Sequence, residues 1–176
     1  MEEIRATAGE TISEIFTRAE RITGLAILTL IYRTIEPDIA TGTVLSSQCI
    51  STALRALSEH QECMRLLEHT EHNMMDFYVQ WALLSAPFVP YIVIFCLAIE
   101  TSSSLHLTKL ASVVHATEKV ACNYNDAYGK QLAIFKLMYD VACKWIKAKN
   151  ASSGTRGTES YSTQILSPLK QPAGTG

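Results

Sequence analysis

The chain has 176 residues, enough for one domain with a substantial core. Hydrophobic residues make up 48% and charged residues 18%, a globular composition that is too apolar for disorder of the whole chain. The formal net charge of −2 gives no electrostatic footprint for nucleic acid, so direct DNA or RNA binding is not expected.

Residues 3–34 read as the first helix. Ile12, Ile15, Phe16, Ala19, Ile22 and Ala26 recur at spacings of three and four, which places them on one helical face. From Gly24 to Tyr32 the segment is apolar nearly all round, which predicts burial on several sides. Glu36-Pro37-Asp38 ends it, because the residue before a proline is pushed out of the helical region. Thr41-Gly42-Thr43 is turn chemistry, and Thr43 is the expected cap of a second helix. Val44, Leu45, Cys49, Ile50, Ala53, Leu54 and Leu57 form its apolar stripe, continuing through Met64 and Leu67. Glu71-His72-Asn73 is a polar break.

The most apolar stretch follows. Trp81 to Ile99 reads WALLSAPFVPYIVIFCLAI, and no charge interrupts residues 77–99. Pro87 lacks an N–H and clashes with a preceding turn, so one straight helix is not expected here. The run splits into a helix ending near Ser85 and a second entered through Pro90 in its first turn. Two short buried helices suit a protein core better than a bilayer. A membrane-associated segment at 77–99 is the alternative, since its length is close to the ~20 residues of a span.

Thr101-Ser102-Ser103-Ser104 is a hydroxyl-rich loop whose last serine can cap a helix from Leu105 to about Cys122, with Leu107, Leu110, Val113 and Val114 inward. Asn123-Tyr124-Asn125-Asp126 is a turn. The last helix spans about Ala127 to Lys149. Phe135, Met138, Ala142 and Trp145 line one side and Lys136, Asp140, Lys144 and Lys147 another. Its wide apolar arc calls for at least two neighbours. Beyond Asn150 the composition turns to Ser, Gly, Thr and Pro. Residues 1–149 are therefore expected to form an all-α bundle of about six irregular helices, and 150–176 a disordered tail with a Ser167-Pro168 phosphorylation signal.

Chemistry-bearing motifs are scarce. The five cysteines, at 49, 63, 96, 122 and 143, form no CxxC pair and read as reduced, mostly buried thiols of an intracellular protein. The acidic start MEEIRATAGETISEIF has no apolar core segment and does not read as a secretory signal. Asn150-Ala151-Ser152 is accordingly a chance match to a glycosylation acceptor. His60, Cys63, His69 and His72 have metal-like spacing. However, His69 falls opposite His60 on a continuous helix, so they are expected on a solvated polar face. There is no GxSxG, HExxH, P-loop or GxGxxG. Trp81, Phe88, Tyr91, Phe95, Phe135 and Trp145 would suit an apolar pocket of a small enzyme, but core packing accounts for them. No catalytic residue, cofactor or metal is assigned.

CISTALRALSEHQECMRLL, then FYVQWALLSAPFVPYIVIFCLAI, a short polar gap and LHLTKLASVVHATEKV together resemble the C-terminal half of the fungal-specific transcription factor domain. That domain is the helical middle homology region of fungal zinc-cluster regulators. Trp81, Leu83, Leu84, Pro87, Phe88, Pro90 and Phe95 match its central hub, and Tyr91 replaces an aromatic conservatively. His106-Leu107 departs from the family's usual Asp-Leu pair. The resemblance covers residues 43–148. It implies a non-enzymatic, nuclear regulatory module that works through protein contacts, self-association or effector sensing. DNA binding is not carried over, because the cysteines lack the spacing of a six-cysteine cluster. The family's domain is longer, so helices that pack on its other half are expected to show apolar surface here.

Overall fold

The computed structural model describes residues 2–37, 42–68, 86–121 and 126–159, and all the elements in it are helices. They are α1 (Glu2–Tyr32), α2 (Ser47–Leu67), α3 (Phe88–Thr101), α4 (Ser104–Ala121) and α5 (Asp126–Glu159). The chain is all-α as expected. Five helices stand where about six were anticipated, and the first half of the apolar run, up to Ser85, lies outside the described residues.

α1 and α2 form an antiparallel pair. Arg18 Nη1 meets Glu59 at 2.6 Å and Ser46 Oγ donates to the Tyr32 carbonyl at 3.1 Å, which fixes the pair at two levels. Ser46, not Thr43, caps α2: its Oγ accepts from the Cys49 N–H at 3.2 Å. Thr43 instead turns its hydroxyl onto the Leu45 carbonyl, and Val44, expected in the stripe, lies outside the core. Thr43, the expected cap, and Ser46, the observed one, are hydroxyl residues three apart. Only Ser46 also reaches the end of α1, so it serves both helices.

α3 starts as the prolines dictate. Pro87 is the N-cap and Pro90 sits in the first turn, where a missing N–H costs nothing. Tyr91 makes the first helical bond to the Pro87 carbonyl, at 3.0 Å. Pro90, Tyr91, Val93, Ile94, Leu97 and Ala98 are buried. Among the described residues no helix is long and apolar enough to cross a membrane, and the described half of the run is packed into protein. Of the thiols expected to be mostly buried, Cys96 is exposed and Cys143 is half-buried. Cys49 and Cys63 are buried as expected, and burial pushes the Cys49 thiol pKa up. α3 ends at Ser102, a left-handed residue with φ 52° and ψ 34°, and α4 begins two residues later with Ser104 already inside it. Of the expected inward positions of α4, Leu110, Val113 and Val114 are buried and Leu107 is half-buried.

Two apolar cores share α2. One joins Ile15, Ala19, Ile22 and Ala26 of α1 to Cys63, Met64 and Leu67 of α2, with Ala86. The other gathers Cys49, Ala53 and Leu57 of α2 around Tyr91, Ile94 and Leu97 of α3, with Leu110 and Val113 of α4 and Leu132 and Phe135 of α5. The Tyr91 and Phe135 rings stack at 4.2 Å, and the Tyr91 hydroxyl donates to the Phe135 carbonyl at 3.0 Å.

Three expectations fail at helix faces and ends. The segment Gly24–Tyr32 is not buried on several sides, since Ile27, Leu28, Leu30 and Ile31 are exposed. Trp145 is exposed rather than packed with Phe135 and Ala142, because it lies around the helix from them. α5 continues to Glu159, ten residues past the expected end at Lys149. Extending a formed helix adds a backbone bond for each residue fixed, so Ser and Gly composition alone does not stop it. The remainder of the expected tail lies outside the described residues.

Phe135→Ala is expected to cost roughly 3–5 kcal/mol and Tyr91→Phe about 1 kcal/mol. Ser102→Gly should instead gain about 1 kcal/mol, because it relieves a left-handed backbone strained for a side chain. It also removes a buried hydroxyl that has no partner among the described residues. Urea unfolding of the three variants checks all of this, and a destabilised Ser102→Gly would contradict the strain argument.

Candidate interaction surface

Two features stand out among the described residues after the core is accounted for: a polar seam between α2 and α4, and helix faces whose large apolar side chains are exposed. The seam arises because α2 and α4 run parallel and each offers short polar residues at the contact. Lys109 Nζ donates to Ser58 Oγ at 2.9 Å and to Gln61 Oε1 at 2.5 Å. Gln61 Nε2 donates to Ser112 Oγ at 2.7 Å, and Ser112 donates back to the Lys109 carbonyl at 2.7 Å. Partial burial holds the Lys109 pKa below the usual lysine value. One helical turn further on, a shallow groove of about 180 Å³ opens between Gln61, Met64, Arg65, Glu68, Ser112, His115, Ala116 and Lys119.

This seam is not built for nucleophilic catalysis. Ser58 gives its proton to the Leu54 carbonyl at 3.0 Å, and its oxygen accepts from an ammonium group rather than facing a base. Ser112 likewise spends its proton on backbone. The geometry locks the register of α2 against α4.

His60 and Cys63 overturn the expectation of a solvated polar face, since both are fully buried. His60 Nε2 lies 3.4 Å from Thr117 Oγ1, and Thr117 donates its own proton to the Val113 carbonyl at 2.8 Å. Burial drives the His60 pKa down to about 3, so the ring is neutral in the folded protein. Cys63 sits in the α1–α2 core instead. His69 and His72 lie outside the described residues. Among the described residues no three His, Cys, Asp or Glu side chains form a metal-holding group. The missed signal was the stripe itself: Ala53, Leu57, His60, Met64 and Leu67 keep the three-and-four spacing, which makes His60 a core position.

The core packing expected of the aromatic residues holds for four of the six. Phe88, Tyr91, Phe95 and Phe135 pack into the second core, Trp145 is exposed, and Trp81 is outside the described residues. The bare faces are the stronger candidates for function. On α1 and just beyond it, Ile27, Leu28, Leu30, Ile31 and Ile35 are uncovered, opposite the buried Ile22, Leu25, Ala26 and Thr29. On α5, Ile134, Leu137, Val141 and Trp145 form a second uncovered stripe. Patches of this kind are the usual mark of a contact surface.

Comparison with models of known protein families, with curated proteins and with solved structures finds no match for this chain.

The buried histidine sets a pH dependence. Its folded pKa lies below the unfolded value of 6.5, so the unfolded chain binds the extra proton between about pH 6.5 and 3. Stability from the neutral ring is thus complete above pH 6.5 and falls as pH drops, by up to about 1.4 kcal/mol per unit. His106, also held low by partial burial, adds in the same direction. Urea midpoints between pH 7 and 5 should fall steeply for the wild type and less for His60→Leu. Equal slopes would refute the assignment.

Proposed function

We propose that this chain is a non-enzymatic regulatory module that works by contacting proteins, including further copies of itself. The observation that supports this most directly is the uncovered face of α1, where four large aliphatic side chains, Ile27, Leu28, Leu30 and Ile31, are exposed although Ile22, Leu25, Ala26 and Thr29 opposite them are buried. An aliphatic surface of that kind gains by being covered, at about 25 cal/mol per Å² removed from water. The polar seam and the buried His60 give rigidity, and the serines of the seam face no base.

The resemblance of residues 43–148 to the fungal-specific transcription factor domain gives the reading its content: transcription regulation in the nucleus, with DNA contacts supplied by another component. In described residues that resemblance rests on Pro87, Phe88, Pro90, Tyr91 and Phe95, which open α3 and seat it in the core.

The test uses Ile27→Glu combined with Ile31→Glu, two exposed sites where a carboxylate is tolerated by the fold. Sedimentation velocity should show concentration-dependent association of the wild type that the double variant loses at unchanged melting temperature. Fused to a heterologous DNA-binding domain in fungal cells, the wild type should change reporter transcription and the variant should not. A monodisperse wild-type monomer at high concentration, together with an inert reporter fusion, sinks the reading.

A further inference from the structure

Gly24 sits in the middle of the uncovered face of α1. Glycine weakens a helix interior, and its use there is to let another group approach the backbone closely. Within the chain nothing makes that approach. Gly24 is exposed, and apart from its own helix backbone and chain neighbours no atom of the described residues comes within 4 Å of where its Cβ would stand. It leaves a notch in α1 that the fold does not fill. The side chains beside the notch are large and aliphatic. Ile27, Leu28 and Ile31 follow Gly24 at the spacing of one helical face and are 53%, 40% and 52% exposed. Ile35, just past the helix end, is exposed as well. Glu20, one turn before the notch and also exposed, bounds the face on its N-terminal side.

We propose that this face pairs with the same face of a second copy in antiparallel orientation. Each Ile31 seats in the Gly24 notch of the other copy, and Ile27 of one meets Leu28 of the other. The proposal rests on the protein-contact reading and names the partner and its orientation. The spacing is self-complementary: positions 24 and 31 are equidistant from the midpoint between 27 and 28, so one two-fold axis there makes all these contacts at once.

Electrostatics selects the same orientation. A parallel pair sets Glu20 against Glu20, whereas the antiparallel pair separates the two carboxylates by about 22 Å along the helix. The alternative of α1 against the α5 stripe of a next copy is heterologous and continues into filaments, while the two-fold contact closes with two copies. Half-exposed aliphatic side chains from both copies bring the buried area to roughly 1,000 Å², the lower bound for a specific interface. A reversible dimer is therefore expected, not a permanent one.

The test is sedimentation velocity of the full chain over a range of concentrations, with circular dichroism melts of each variant. Gly24→Leu replaces a helix-weakening residue at an open position, so it should raise the melting temperature. It also fills the notch, and should weaken dimerisation by about tenfold or more. Ile31→Glu should weaken it similarly. Adding Glu20→Lys to Ile31→Glu should recover much of that loss, because residue 20 lies one turn along from residue 31 of the other copy in the antiparallel pair alone. Tighter association of Gly24→Leu marks a merely sticky surface and overturns the proposal. So does an Ile31→Glu defect that Glu20→Lys leaves unchanged. A wild-type monomer at high concentration overturns it too. If the reporter fusion of that monomer still depends on Ile27 and Ile31, the protein-contact reading survives and the face belongs to a different protein.

Discussion

Keeping α3 out of water is the constraint around which the other helices are placed. No charge occurs from Phe88 to Ile99, and burying Val93, Ile94 and Leu97 alone contributes on the order of 6 kcal/mol. That is comparable with the whole net stability of an ordinary domain, about 5–15 kcal/mol. α2, α4 and α5 each supply aliphatic or aromatic side chains to cover it. The prolines fit the same demand, because they begin a helix without leaving a buried N–H unsatisfied.

Polar chemistry in the interior then acts as alignment. Lys109, Gln61, Ser58 and Ser112 exchange hydrogen bonds across the α2–α4 contact, where sliding by a turn would leave several donors unmet. His60 and Thr117 meet deeper in the same contact, with the Thr117 hydroxyl also bonded to the Val113 carbonyl. At the α1–α2 contact, Arg18 bridges Glu14 and Glu59 while Arg21 joins Glu59 from the side. Arg18 and Glu59 are half-buried, while Glu14 and Arg21 are exposed, so the outer pairs contribute to register more than to stability.

The all-α class and most helix boundaries were legible because they depend on local periodicity and on proline. What failed depended on neighbours. The end of α1 is apolar all round, and periodicity cannot count how many helices will arrive to cover Ile27, Leu30 and Ile31. The same limit applies to Trp145. His60 failed for the opposite reason: residue type was weighed above position, although its place in the stripe matched Leu57 and Met64. Thr43 and Ser46 are equivalent chemically, and the choice between them is made by the carbonyl of Tyr32, which is remote in the pattern. The candidate surfaces were least legible of all, since a bare face and a buried one have the same local composition.

The position of α3 in the chain also has a consequence for biosynthesis. Thr101 completes α3 before any residue of α4 or α5 has been made, and Phe135, the ring that stacks on Tyr91, comes 34 residues later. At roughly 5–20 residues per second, the ribosome leaves α3 without its main covering for a few seconds. Among the described residues, the helices already made by then are α1 and α2, and Cys49, Ala53 and Leu57 of α2 belong to the core that receives α3. α2 is thus the first described helix available to cover α3. A pause in translation shortly after Thr101 would expose the nascent chain to aggregation more than a pause anywhere earlier.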